Sequence, residues 1–169
     1  MAETQKKTRL KITYRKAKKS DLKTLFVLSN KLLRFHKHFF PEIYKFNKKY
    51  PSMQKRFFEK NIRSSKSCVF VAELDGKLIA YTLAIAKKYS PPIYIWKKEI
   101  SLSDLYVEAP FRGSGVAKRL FYEVEKFARK NKANFINLGV DSKNARARRF
   151  YEKMGMKDFR VIMVLKVKQ

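Results

Sequence analysis

The spacing of apolar positions changes several times along this chain, and each change marks an element. Leu10, Ile12 and Tyr14 alternate with basic residues, the period of a half-buried strand. Ser20 followed by Asp21 reads as an N-cap with an acid in the first turn. Leu22, Leu25, Phe26, Ser29, Leu32 and Leu33 then recur at helical spacing. Residues 35–63 are aromatic and basic, and Pro41 and Pro51 break them into one or two short helices. Residues 68–74 and 78–86 are two β-rich runs. Asp75-Gly76 between them predicts a hairpin, since both residues tolerate positive φ. Residues 89–96, with Pro91-Pro92, read as a loop.

A fourth strand is expected over residues 99–107, and its pattern slips. Ile100 and Leu102 mark one face, Asp104 interrupts it, and Leu105 and Val107 mark the other. An extra residue in a β-bulge produces such a slip and leaves backbone groups free to bind something else. Pro110 ends the strand, and Arg112-Gly113-Ser114-Gly115 leads into the clearest helix of the chain. Val116, Ala117, Leu120, Phe121, Val124, Phe127 and Ala128 all fall on its apolar side. A fifth strand over residues 135–140, a helix over residues 144–154 stopped by Gly155, and a last strand over residues 161–167 complete the prediction. Mixed strands and helices around a strand–glycine loop–helix–strand unit give an α/β or α+β domain on a mixed sheet.

Composition narrows this picture. At 169 residues the chain suits one domain, read here as residues 1–169 with a flexible basic N-terminus over residues 1–8. Forty-one Lys and Arg against 14 Asp and Glu leave a net charge of +27, while 45% apolar residues exclude wholesale disorder. Residues 1–66 carry 20 of the 41 bases, so this is no basic tail on a neutral domain. The charge predicts attraction to polyanions: nucleic acid, acidic lipid surfaces or phosphate-rich cofactors. The lone cysteine, Cys68, excludes a disulfide framework and a cysteine-built zinc site. His36 and His38 have no supporting acid or cysteine nearby, so no metal is expected, and they read as surface or groove residues. No secretory signal or membrane-spanning run is legible, and the expectation is a soluble, cytoplasmic chain.

The glycine loop is where chemistry is expected. Glycines let a backbone approach a ligand closely, and the following helix N-terminus offers unpaired N–H groups to a phosphate or pyrophosphate. The dinucleotide fingerprint fails because Lys118 stands where it needs glycine, and the Gly-Lys-Ser/Thr ending of a Walker-type loop is absent. Arg112, Gly115 and Ala117 match Arg/Gln-x-x-Gly-x-Gly/Ala. Asn144-Ala145-Arg146-Ala147, continuing to Phe150-Tyr151-Glu152-Lys153-Met154-Gly155, forms a second element in the right order. In these two motifs the chain resembles the GNAT superfamily of N-acetyltransferases, which use acetyl-coenzyme A. The resemblance covers residues 66–167 well and residues 10–36 more loosely.

The resemblance implies a mixed, mostly antiparallel central sheet flanked by helices, with a bulged fourth strand and a V-shaped cleft between the fourth and fifth strands. Leu105, Tyr106 and Val107 would offer backbone groups to pantetheine. Arg112, Gly113, Ser114, Gly115, Val116, Ala117 and Lys118 would cradle the pyrophosphate, and Asn144 would contact the coenzyme. Tyr151 stands where many members keep a tyrosine beside the acyl sulfur. Homodimers are common in that family, and no interface is legible here.

Acetyl transfer to an amine needs a neutral nitrogen, a polarised thioester carbonyl and a proton for the leaving thiolate. Tyrosine, with a reference pKa of about 10, is protonated at neutral pH and can donate it, so Tyr151 is the candidate acid. Backbone N–H groups around Val107 are candidates for polarising the carbonyl. Glu99 and Asp104 on the fourth strand are the candidate bases, with ordered water as their competitor and Glu108 as a solvated third. The expected acceptor is a protein or peptide amine, whose acidic flanks would suit the positive field, or a small polyamine-like amine, which needs Glu42, Glu59, Glu99 and Asp104 to gather. The alternative function is a catalytically weak basic module of the same shape that binds nucleic acid or the ribosome.

Overall fold

The computed structural model describes residues 11–44, 49–88, 98–165 and 167. The predicted loop over residues 89–96 and Leu10 of the first predicted strand lie outside them. The chain divides into two compact units, residues 1–139 and 140–169, each described here by itself.

The first unit is built on a five-stranded sheet in the order β1-β2-β3-β4-β5, with β1 Thr13–Lys16, β2 Ser67–Leu74, β3 Lys77–Lys88, β4 Lys98–Val107 and β5 Phe135–Asn137. All neighbours are antiparallel except β4 and β5. The Asp75-Gly76 turn forms as expected, with φ of 48° and 75°. Helices α1 Leu22–Phe39 and α2 Tyr50–Arg63 cover one face of the sheet, and α3 Val116–Lys130 covers the other. On the first face Leu25, Leu28 and Phe58 pack with Val71, Tyr81 and Leu83, all essentially without solvent exposure. Burying each such side chain contributes about 1.5–3 kcal/mol. On the second, Val116 and Leu120 close over Ala72 and Ala80.

Several expectations need correction. α1 does not stop near Leu33 but runs on through the aromatic-basic stretch to Phe39. Its start is a 3-10 turn over Lys19–Asp21, and Ser20 is not its cap. The Asp21 carboxylate instead accepts from the Lys18 N–H at 2.7 Å and binds Arg15, which also reaches Glu73. Pro51 does not break the second helix; it sits at the helix start, where a missing N–H costs nothing. β5 is three residues rather than six, because its ladder to β4 ends at Asn137.

In the second unit, α4 Ala145–Lys153 matches the predicted helix, with Gly155 at φ 85° beyond its end. The final strand does not form: residues 161–165 and 167 are irregular, and Ile162, Met163 and Leu165 are more than 80% exposed. Alternation supplies a face but not a partner, and among the described residues of its own unit this segment has no strand to pair with. Among the described residues no helix is long and apolar enough to cross a membrane.

Candidate active site

The phase slip in β4 is a bulge, and it decides which side chains share a face. Leu83 pairs with Asp104 but Ala84 pairs with Leu102, so Ser103 is the extra residue. Directly paired residues point to the same side of a sheet. Glu99 and Ser101 therefore face α1 and α2 with Lys87 and Ile85, and Ile100 and Leu102 face α3. Without the bulge Asp104 would follow Leu102 toward α3. With it, Asp104 and Tyr106 turn to the α1/α2 face beside Leu83 and Tyr81, while Leu105 and Val107 turn to α3.

β4 also loses its neighbour along the same stretch. Its ladder with β5 holds only at Glu99, Ile100 and Ser101. The Glu108 N–H donates to the Ile79 carbonyl at 2.9 Å, which makes Ala80 and Val107 a non-hydrogen-bonded pair. The Val107 N–H and C=O therefore face away from β3, toward the side that β5 has left. By the same alternation so do those of Leu105. The Val107 carbonyl accepts from Arg112 Nε at 2.9 Å, which pins the glycine loop to the strand end. The Arg112 guanidinium lies 5.7 Å from the Phe35 ring centroid and 5.9 Å from that of Tyr106.

The loop itself is open. Gly113 and Gly115 have φ of 81° and 89°, the left-handed region where a side chain is strained, and a Cβ at either would meet nothing within 4 Å. Gly115 precedes α3 without any side-chain cap, and the first hydrogen bond of the helix is Arg119 N–H to the Gly115 carbonyl. The N–H groups of Val116, Ala117 and Lys118 thus lie before the first intrahelical bond, where a helix end carries partial positive charge. Ser114 spends its hydroxyl on the Phe111 carbonyl at 2.6 Å. Two oriented edge amides, an uncapped helix start and two glycines over open space fit a ligand with an amide-bearing arm and a phosphate-rich end.

The candidate bases are separated by this geometry. Glu99 is buried where β4 and β5 are still paired, opposite Lys87. Asp104 stands four ladder rows further along the same face, about 13 Å away at the usual strand rise, past the point where the strands part. Its carboxylate accepts from the Tyr81 hydroxyl at 3.0 Å. Only part of its surface is accessible, and close packing pushes its carboxyl above the ordinary range. The Tyr81 hydrogen bond and the nearby charge of His36 oppose that rise. Tyr50, from the start of α2, is raised by burial, then lowered by its hydrogen bond with Ser29 and raised by the Asp104 charge. Glu108 is not a solvated loop residue: it accepts from Tyr106 at 3.2 Å and pairs with Lys31. His36 stacks on Tyr44, and His38 meets Phe39 edge-on. Among the described residues no three His, Cys, Asp or Glu side chains gather as a metal site would require.

Asn144 and Tyr151 lie in the second unit. Asn144 is buried and caps α4, its Oδ1 accepting from the Ala147 N–H at 3.1 Å. Tyr151 is half-buried on α4, its ring set edge-on to Phe150 at 5.2 Å between centroids. Tyr81 and Tyr50 did not emerge from the sequence as site residues. The signal for Tyr81 was a hydroxyl inside the apolar run 78–86, since a buried tyrosine needs a partner for its O–H.

A family model described as Acetyltransferase (GNAT) family matches residues 30–156. A protein named as an N-acetyltransferase from Archaeoglobus fulgidus is 29% identical over 103 residues, 61% of this chain and 69% of that one. One so named from Mycobacterium tuberculosis is 30% identical over 100 residues, and the match spans 59% of each chain. Among solved structures, a mutant form of a Bacillus halodurans protein superposes with a TM-score of 0.83 at 24% identity, covering 92% of this chain and 99% of the other. A Clostridium acetobutylicum protein described as a predicted acetyltransferase, solved with acetyl-CoA, gives 0.74 at 21% identity, covering 92% and 96%. With the mixed sheet, the bulged fourth strand and the open glycine loop, these matches show that the chain belongs to the GNAT family of acetyltransferases.

Proposed function

We propose that this chain transfers acetyl from acetyl-CoA to a primary amine by direct attack, with Asp104 as base and Tyr151 as acid. The observation that carries the reading is the parting of β4 from β5 after Ser101, which turns the Leu105 and Val107 amide groups to the open side next to an uncapped helix start. The Clostridium acetobutylicum neighbour solved with acetyl-CoA supports the choice of coenzyme. Acetyl-CoA would supply an acetyl group activated as a thioester. The edge groups of Leu105 and Val107 would hold its pantetheine arm, with the Val107 N–H aimed at the acyl oxygen; Tyr106, paired with Tyr81, turns its backbone groups to β3 instead. Arg112, Gly113, Ser114, Gly115, Val116, Ala117 and Lys118 would take the pyrophosphate, Arg112 mainly by fixing the loop. Asn144, whose Oδ1 is spent as a cap, keeps its Nδ2 for the coenzyme.

The positive field and the place of Asp104 past the split favour Asp104 over Glu99 and a peptide amine over a polyamine. A carboxylate whose proton affinity is raised is the stronger base for an ammonium group. A polycation needs several acids together, and Glu99 is four ladder rows away from Asp104. The test is a mass-spectrometric assay of peptides with one free amine, flanked by acidic or by basic residues, with spermidine alongside. At 50 mM salt the acidic-flanked peptide is expected to be acetylated with kcat/KM at least about 10-fold above the basic-flanked one, the gap closing at 0.5 M as steering is screened. Spermidine as the best acceptor would overturn the peptide assignment.

A further inference from the structure

A second charged feature lies at the other end of the same sheet. α2 ends at Arg63, and the chain passes Lys66 into β2. β3 ends at Lys88, β4 begins at Lys98, and α3 runs out through Arg129 and Lys130 to Lys132 before β5. Backbone bonds join these ends into one rim: Ala86 N–H to the Lys66 carbonyl at 2.8 Å, and Asn134 N–H to the Lys98 carbonyl at 3.0 Å. The seven bases Arg63, Lys66, Lys88, Lys98, Arg129, Lys130 and Lys132 are all exposed.

Their charge is uncompensated. The acids of this unit that form ion pairs do so elsewhere: Asp21 and Glu73 with Arg15, Glu108 with Lys31, and Glu123 with Arg119 and Lys126. None of the seven pairs with a carboxylate among the described residues. Lys88 and Lys98 face each other directly across the β3–β4 ladder, an arrangement that is destabilising unless an anion stands between them. Lys132 occupies a left-handed turn at φ 52°, a conformation rare for a side-chain-bearing residue. Phe135, at the start of β5, is 50% exposed beside this rim.

We infer that this rim binds single-stranded RNA, the bases on its phosphates and Phe135 as a stacking platform. Four strand ends at the usual spacing span about 15 Å, and the α2 and α3 ends widen that, enough for several successive phosphates. An aromatic ring among bases is the pairing that single-strand binders use. The exposed Phe135 ring among the bases favours a polyanion whose own rings can stack on it. The ten residues of β4 separate the rim from the glycine loop by about 30 Å, so this surface is independent of the acetyl-transfer reading.

The test is fluorescence polarisation of a labelled 20-nucleotide mixed-sequence RNA on the full chain between 50 and 200 mM salt. With about five phosphates engaged, log Kd against log salt should have a slope near 3.5 and Kd should rise about 100-fold. The variant carrying Arg63→Gln, Lys66→Gln, Lys88→Gln and Lys98→Gln should lose most of that slope. A control of equal net charge, with Lys11, Lys23, Lys55 and Lys77 changed to Gln, should stay within about 3-fold of the parent. Phe135→Ala should weaken binding about 5-fold or more at every salt concentration. Melting curves confirm that each variant is folded. Equal losses in the two quadruple variants would reduce the effect to net charge and overturn the site. So would displacement of RNA by saturating acetyl-CoA, or patch-dependent binding to phosphatidylserine vesicles without RNA binding.

Discussion

Asp104→Asn is expected to lower kcat by about 10²- to 10⁴-fold while leaving acetyl-CoA affinity unchanged. The amide keeps the size of the carboxyl group and can still accept from the Tyr81 hydroxyl, so the core beneath it is preserved. On the proposed reading, what is lost is the ability to take a proton from the acceptor. The pH dependence separates this from a structural effect. Burial holds the Asp104 proton more tightly than in the unfolded chain, so its base form appears only above the ordinary carboxylate range. The same shift stabilises the folded state below the unfolded value and is lost as pH rises through the folded one. The Tyr81 hydrogen bond works against the rise. Tyr81→Phe should therefore move the acidic limb of kcat/KM to higher pH, and Asp104→Asn should abolish that limb. Full activity in the Asn variant with an unchanged profile would return the role to Glu99 or to water.

Tyr151→Phe is expected to lower kcat by about 10²-fold, again with the coenzyme still bound. The substitution removes one oxygen from a half-buried ring and leaves its edge-on packing with Phe150 in place. If Tyr151 protonates the leaving thiolate, the loss in the Phe variant should fall on the chemical step of the first turnover. Rapid-mixing measurement of the first turnover separates the acid step from product release. An unchanged first turnover would remove Tyr151 from the reaction.

Much of the site could be read from the sequence because it is local. The slip between Leu102 and Leu105 is visible within seven residues, and it is the bulge at Ser103. The glycine loop and the helix after it are contiguous, and both formed as expected. What the sequence did not carry were relations across the sheet. Tyr81 and Asp104 are 23 residues apart, and their pairing depends on a β3–β4 register that no tight turn fixes. The sequence pattern ends α1 too early because its last turns swap an apolar stripe for aromatic and basic residues that still continue the helix. The Ser20 cap failed because Asp21 had a stronger partner in Arg15, which lies on a different element. The last strand failed for a related reason: alternation over residues 161–167 describes a surface, whereas a strand exists only through its neighbour.

The acetyl-transfer account rests on an acetyl-CoA site formed by the open edge of β4 and the glycine loop. Calorimetric titration of acetyl-CoA at about 0.3 M salt tests it most directly, because loose attraction to so basic a chain is screened over about 5–6 Å there. Adenosine 3′,5′-bisphosphate is the control for phosphate attraction alone, and Gly115→Ala is the control for the loop. The account predicts saturable one-to-one binding that the nucleotide does not reproduce. It also predicts at least about 10-fold weaker binding in the Ala variant, whose methyl strains a left-handed position by about 1–2 kcal/mol and occupies the space over the loop. Binding no tighter than that of the nucleotide, or equal in parent and variant, would contradict it.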